Sequence, residues 1–328
     1  MRRYTTKLLS ALAVAGAMLL PSMAQAAWPE DFSQIYITVP YPPGTEPDIL
    51  ARELGMVLGE ESGSTFVIEN RPGANSIVGT DRVARTQGKG DQLLMVDTLA
   101  IATNPLLYKN LPYDWEQSLK PVVTVAGTHL YLLVNDEVPA QDYGELIQLA
   151  KDLDGELNIS TGGRGHVTHL GMGHLAKEEG IDVTYIPYAG VAPAVNGVLA
   201  GETDAMLVGG LVASKQLEGG KVRVLGVGAS ERTDLLPEVP TIQEAGGPEG
   251  VVPTTTFTLF APISTPDEVV QEIHEAVTRA VQTAQFEEAF EARGLIPVFA
   301  TTEEIRAAID DSVAVYSELI PSLGIKPE

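Results

Sequence analysis

Short apolar runs alternate along this chain with stretches whose apolar residues recur at helical spacing. Ile35–Val39, Phe66–Ile68, Leu93–Val96, Val122–Val125 and Leu130–Val134 read as strands, as do Leu157–Ser160, Val183–Ile186, Ala205–Val208, Val222–Val227 and Thr256–Ala261. Between them, Leu50, Leu54, Val57 and Leu58 fall on one helical face, and Ile273, Val277 and Val281 repeat the pattern near the C-terminus. Strand–helix alternation of this kind predicts an α/β fold of mainly parallel sheets covered by helices. At 328 residues the chain is long enough for two sheets. Composition shifts near Val125–Thr128 and in the Gly- and Pro-rich Gly246–Pro253 mark two crossings. They divide the chain into a discontinuous lobe, 27–126 plus 254–328, and an inserted lobe, 127–253. A ligand then belongs in the cleft between them, at the carboxyl ends of the strands.

The first 26 residues fit neither lobe. Arg2, Arg3 and Lys7 precede the apolar run Leu8–Leu20, Pro21 ends it, and Ala24-Gln25-Ala26 supplies small residues for cleavage. This is the pattern of a signal peptide, and the run is short for a membrane span. The alternative is an uncleaved anchor. The expected location is the periplasm, with no membrane anchoring after cleavage. No cysteine stands at the boundary to carry a lipid.

Charge and composition then exclude whole classes of function. Asp plus Glu number 44 against 21 Lys plus Arg, a net charge of −23, so no nucleic-acid partner is expected. Cysteine is absent, which removes thiol catalysis, disulfides and thiolate metal sites together. No G-x-G-x-x-G, phosphate loop, nucleophile elbow or H-E-x-x-H is present, and no cofactor is implied.

Three loops carry the functional reading. Tyr41-Pro42-Pro43-Gly44-Thr45-Glu46-Pro47-Asp48 joins the first strand to the first helix. Thr45 and Asp48 are spaced as a capping box, with Thr45 expected to accept from the Asp48 amide. Capping explains most of these residues, but a stiff Pro-rich loop can also present amides to a ligand at a helix N-terminus. In Thr161-Gly162-Gly163-Arg164-Gly165-His166-Val167-Thr168-His169 a strand again gives way to a helix. Its glycines let backbone wrap a small group, and Thr161 and Thr168 add hydroxyls; a capped, flexible loop is the plainer alternative. In the third loop, Gly190 leaves room beside Tyr188, which either walls a cleft or packs between elements. Asp97, followed by Thr98, adds a carboxylate at a strand end, where ligands sit.

Histidines 166, 169 and 174 raise the question of a metal. His166 and His169 share a helical face, His174 points elsewhere, and no acid or thiol is near in sequence, so no metal site is expected. A hydrogen-bonded His169 that orients the loop is the better reading.

Read in order, these loops resemble the solute-binding proteins of tripartite tricarboxylate transporters, the Bug family. The match runs through Tyr41-Pro42-Pro43-Gly44, Asp48 to Arg52, Ile68 to Ala74, Asn104-Pro105 with Tyr108, and Leu111 to Asp114. It continues through Gly165 with His169-Leu170, Pro187-Tyr188 with Gly190 and Ala192 to Ala194, Pro240 to Gly246, and Leu259 to Pro266. The resemblance implies a two-lobed periplasmic binding protein of type II. Such a receptor holds a small carboxylate between two helix starts, from the Tyr41–Asp48 and Gly165–His169 loops, and acts as a monomer. It hands its ligand to a membrane permease of large and small subunits. A ligand-sensing adaptor for a membrane sensor is an alternative use of the same fold, and an enzyme using His166 as base is another. Glu46 and Asp97 depart from what a dicarboxylate site needs, because both would oppose a second negative charge. The sequence therefore favours a monocarboxylate or zwitterion whose remote end meets one of them.

Overall fold

The computed structural model describes residues 28–328; the expected signal segment lies outside the described residues. In chain order the first elements are β1 (Gln34–Val39), α1 (Glu46–Ser62), β2 (Thr65–Asn70), α2 (Ile77–Ala84), β3 (Gln92–Asp97), α3 (Thr98–Leu107), α4 (Trp115–Ser118) and β4 (Leu119–Thr128). There follow β5 (Leu130–Asn135), α5 (Tyr143–Leu153), β6 (Asn158–Thr161), α6 (Val167–Glu179), β7 (Thr184–Pro187), α7 (Val191–Leu199), β8 (Ala205–Gly209), α8 (Gly210–Glu218) and β9 (Val222–Val227). The chain closes with β10 (Thr255–Pro262), α9 (Asp267–Val281), α10 (Ala284–Glu291), β11 (Leu295–Pro297) and α11 (Thr302–Ser322).

Two sheets form the two lobes. One has the order β11-β4-β10-β3-β1-β2 and the other β7-β6-β8-β5-β9. The central strands are covered on both faces, which is why β3, β5 and β8 read as near-continuous apolar runs and not as alternating ones. Ile35, Ile37, Val39 and Met95 point into one core of the first sheet, with α1 and α9, whereas Leu94, Val96 and Phe260 point into the other. In the second sheet, Leu130, Leu132 and Val134 face one side, and Tyr131 and Leu133 the other. The predicted helical faces are buried: Leu50, Leu54, Val57 and Leu58 of α1, and Ile273, Val277 and Val281 of α9.

The sheets are mixed, which corrects the expectation of mainly parallel pairing. β1 pairs in parallel with β2 and β3, and β6 with β7 and β8. β10 runs antiparallel to β3 and β4, β11 to β4, and β5 to β8 and β9. The strands that enter or leave a sheet at a crossing cannot all follow the βαβ direction of their neighbours. Only His129 separates β4 in one sheet from β5 in the other. The apolar core does not stop at the lobe boundary. Leu99 and Leu107 of α3, with Tyr316, Leu319 and Ile320 of α11, share one core with the second sheet.

Candidate functional site

The carboxyl ends of both sheets converge on one cleft of roughly 330 Å³. From the first sheet it takes Tyr41, Gly44, Thr45, Glu46 and Pro47 at the start of α1, Asp97 at the end of β3, Thr128, Thr255 and Phe257. From the second sheet come His166, Val167 and Thr168 at the start of α6, Val191 and Ala192 at the start of α7, and Gly209 and Leu211 at the start of α8. Four helix N-termini thus meet across two lobes. Those of α1 and α7 lack a side-chain cap, so backbone N–H groups face a shared space, whereas at α8 the Gly210 N–H donates to Thr128 Oγ1 at 3.2 Å and the Leu211 N–H is turned to Glu46. The remaining walls are largely apolar, as expected of a small-molecule site.

Around α1 the expected cap is reversed. The Thr45 hydroxyl donates to the Pro42 carbonyl at 2.8 Å and makes no cap bond. The Asp48 carboxylate instead reaches back to accept from Gly44 N–H at 2.8 Å. Arg52 and Asn70 donate to the same carboxylate. Burial alone would raise the Asp48 pKa, but Arg52, the Gly44 amide and Asn70 together hold it below the ordinary value. Asp48 therefore braces the loop from beneath and does not line the cleft.

The α6 start is organised by a relay of side chains. Gly162 N–H donates to Thr168 Oγ1 at 3.0 Å, and Thr168 Oγ1 lies 3.0 Å from His166 Nδ1. The Thr168 amide also donates to His166 Nδ1, so this ring caps the helix. Burial, and then His169, push the His166 pKa down to about 4, so the ring is neutral near pH 7. With Nδ1 accepting, its proton sits on Nε2. His169 turns away and accepts from Gly165 N–H through Nδ1 at 3.0 Å, the orienting role expected of it. Its pKa also falls to about 4, through burial and then Arg164. His166 and His169 thus spend a ring nitrogen each on the loop, and among the described residues no cluster of three His, Asp or Glu is placed to hold a metal.

Two carboxyls line the cleft. Asp97 caps α3 by accepting from Leu99 N–H at 3.0 Å, and Tyr41 Oη accepts from the Asp97 amide. Burial raises the Asp97 pKa to about 7. Glu46 crosses to the other lobe and lies over the start of α8, where Gly209 makes room: a Cβ there would be 2.6 Å from Oε1. Burial raises the Glu46 pKa to about 7, and the Leu211 N–H partly offsets this.

Of the residues singled out in the sequence, Tyr41, Gly44, Thr45, Glu46, Asp97, His166 and Thr168 are brought together on the cleft. Pro43, Asp48, Thr98, Thr161, Gly165, His169, Tyr188 and Gly190 are not among its lining. Thr98 bonds Thr256 and Thr258 across the first sheet. Thr161 donates to Gly163 within its own loop. Tyr188 packs over Gly197 of α7 and bonds Glu202, so its space comes from Gly197 and not from Gly190. Sequence reasoning missed the start of α8, along with Thr128, Asn196 and Gln216. The signal for α8 was present, since Gly209-Gly210 directly follows a predicted strand.

A profile described as "Tripartite tricarboxylate transporter family receptor" matches residues 50–325. The chain belongs to this family. It is 30% identical over 293 residues to Protein BugT of Bordetella pertussis, covering 89% of this chain and 90% of that one. It is similar to R. palustris Rpa4515 with adipate, with a TM-score of 0.84 and 27% identity over 92% of this chain and 100% of the other. It is also similar to MatC from Rhodopseudomonas palustris with bound malate, with a TM-score of 0.78 and 25% identity over 88% and 98%. Family receptors of this kind are periplasmic solute-binding proteins. Among the described residues no helix is long and apolar enough to cross a membrane.

Proposed function

We propose that this chain captures a small carboxylate-bearing metabolite in the periplasm and delivers it to a tripartite tricarboxylate-type permease of large and small subunits. The observation that carries the reading is the meeting of two helix starts without side-chain caps, α1 from one lobe and α7 from the other, on one cleft. Helix-terminal amides bind an anion without a buried counter-charge. The neutral His166 adds an Nε2–H donor from the lobe opposite α1. The adipate and malate carried by its structural neighbours are anions of the class such a site suits.

In this reading the lobes divide near residues 126 and 253, and bending at the two crossings closes them over the ligand. Closure excludes water and strengthens the amide contacts. No chemical step is involved: His166 is a helix cap and a donor, and the hydroxyl beside it, Thr168, is committed to Gly162 and to the ring. The test is mass spectrometry of small molecules carried through native purification, followed by thermal unfolding with each candidate. A true ligand at a hundred times its dissociation constant adds about 2.7 kcal/mol of stability. If carboxylates, however varied, leave the melting temperature unchanged, the reading fails.

A further inference from the structure

The charge lining the cleft is all of one sign. It includes the carboxyl groups of Glu46 and Asp97 and, among the described residues that line it, no Lys or Arg. Each carboxyl draws on one backbone amide, Asp97 on that of Leu99 and Glu46 on that of Leu211. Glu46 Oε1, however, is shut off from solvent and has no hydrogen-bond donor. A buried acceptor left without a donor is costly, and native structures rarely keep one without a use. Nor is Glu46 a stray surface acid: Gly209, across the cleft, leaves the space its carboxylate fills.

Resting on the receptor reading above, we propose that the ligand is an amino-carboxylate, its carboxylate on the helix start of α7 and the Nε2–H of His166 and its ammonium against Glu46 and Asp97. An ammonium brings three donors and one positive charge to the unpartnered oxygen. A dicarboxylate would instead add a second negative charge beside two carboxyls with no basic side chain among the lining to receive it. A simple fatty acid would leave Glu46 Oε1 as it is, without a donor. The amino-carboxylate alone satisfies both ends, and it enters with no net charge.

The test is isothermal titration calorimetry of the purified protein with the series glycine to 6-aminohexanoate. Each amino acid is compared with the fatty acid and the dicarboxylate of the same length. At the length that fits, the amino acid binds at least about tenfold tighter than either counterpart, the scale of one charge-assisted hydrogen bond. Glu46→Gln reduces its margin over the fatty acid by about the same factor. Equal or tighter binding of the dicarboxylate at every length overturns the proposal while leaving the receptor reading intact. An unchanged margin in Glu46→Gln does the same. Absence of heat with every compound, dicarboxylates included, overturns the receptor reading and the proposal together.

Discussion

Replacing Gly165 by alanine probes whether the loop before α6 and helix α3 of the opposite lobe are fitted to one another. Gly165 has φ +74, and a Cβ there would lie 2.4 Å from Leu107 Cδ1 and 2.9 Å from Cδ2. Two costs follow. A left-handed backbone costs a residue with a Cβ about 1–2 kcal/mol. Overpacking against Leu107, which is 4% exposed, costs about 1–3 kcal/mol more. Gly165→Ala should therefore lose about 2–5 kcal/mol in urea unfolding. The two parts separate in a double-mutant cycle. Leu107→Ala alone opens a cavity worth about 2–5 kcal/mol, but it makes room for the new methyl. The double variant should then be more stable than the sum of the single effects by about 1–3 kcal/mol, while the backbone cost remains. Strict additivity would refute the contact, because it would mean that Gly165 pays no steric penalty against the other lobe.

Further outcomes follow from the same site. Asp48→Asn places an amide nitrogen against the donors of Gly44, Arg52 or Asn70; it should cost about 1.5–3 kcal/mol in urea unfolding. Because the Asp48 pKa is depressed, its contribution is present above the unfolded value of 3.8 and lost as pH falls through its folded value. The cleft acids act in the opposite sense: with pKa values near 7, Asp97 and Glu46 lower stability as pH rises from about 4 to 7. His166 and His169, depressed to about 4, raise stability between about 4 and 6.5. A Glu46→Gln/Asp97→Asn variant should thus gain urea stability with pH in that window more steeply than the parent, and an identical pH profile would count against buried acids. Gly209→Ala meets no backbone objection at φ −67 but displaces the Glu46 carboxylate. Its pKa should fall from about 7 toward the ordinary range, as followed by carboxyl-carbon NMR titration.

Much of this architecture was legible in the chain because strands buried on both faces are apolar without interruption. Leu130 to Val134 and Ala205 to Val208 could not be mistaken for surface segments. β11 escaped because it has only three residues and ends on a proline. Strand direction escaped too, since the pairing of β4, β5 and β10 is decided by where the chain changes sheets and not by local pattern. The cleft was half legible. The rule that ligands gather at strand ends found Glu46, Asp97, His166 and Thr168. It could not separate side chains that face the cleft from those that brace it, so Asp48 and Thr161 were grouped with the lining. Their roles depend on one side-chain rotation each, which sequence spacing does not fix. Thr45 and Asp48 show the same limit: the spacing of a cap is readable, but not which partner reaches back.

Glu46 and Gly209 come from different lobes and are 163 positions apart in the chain, yet neither can vary freely while the other stays. Any side chain at 209 evicts the carboxylate, and a shorter residue at 46 leaves the glycine with nothing to accommodate. Retuning this receptor, by drift or by a designer building a metabolite sensor, would therefore proceed by changing the two positions as a pair.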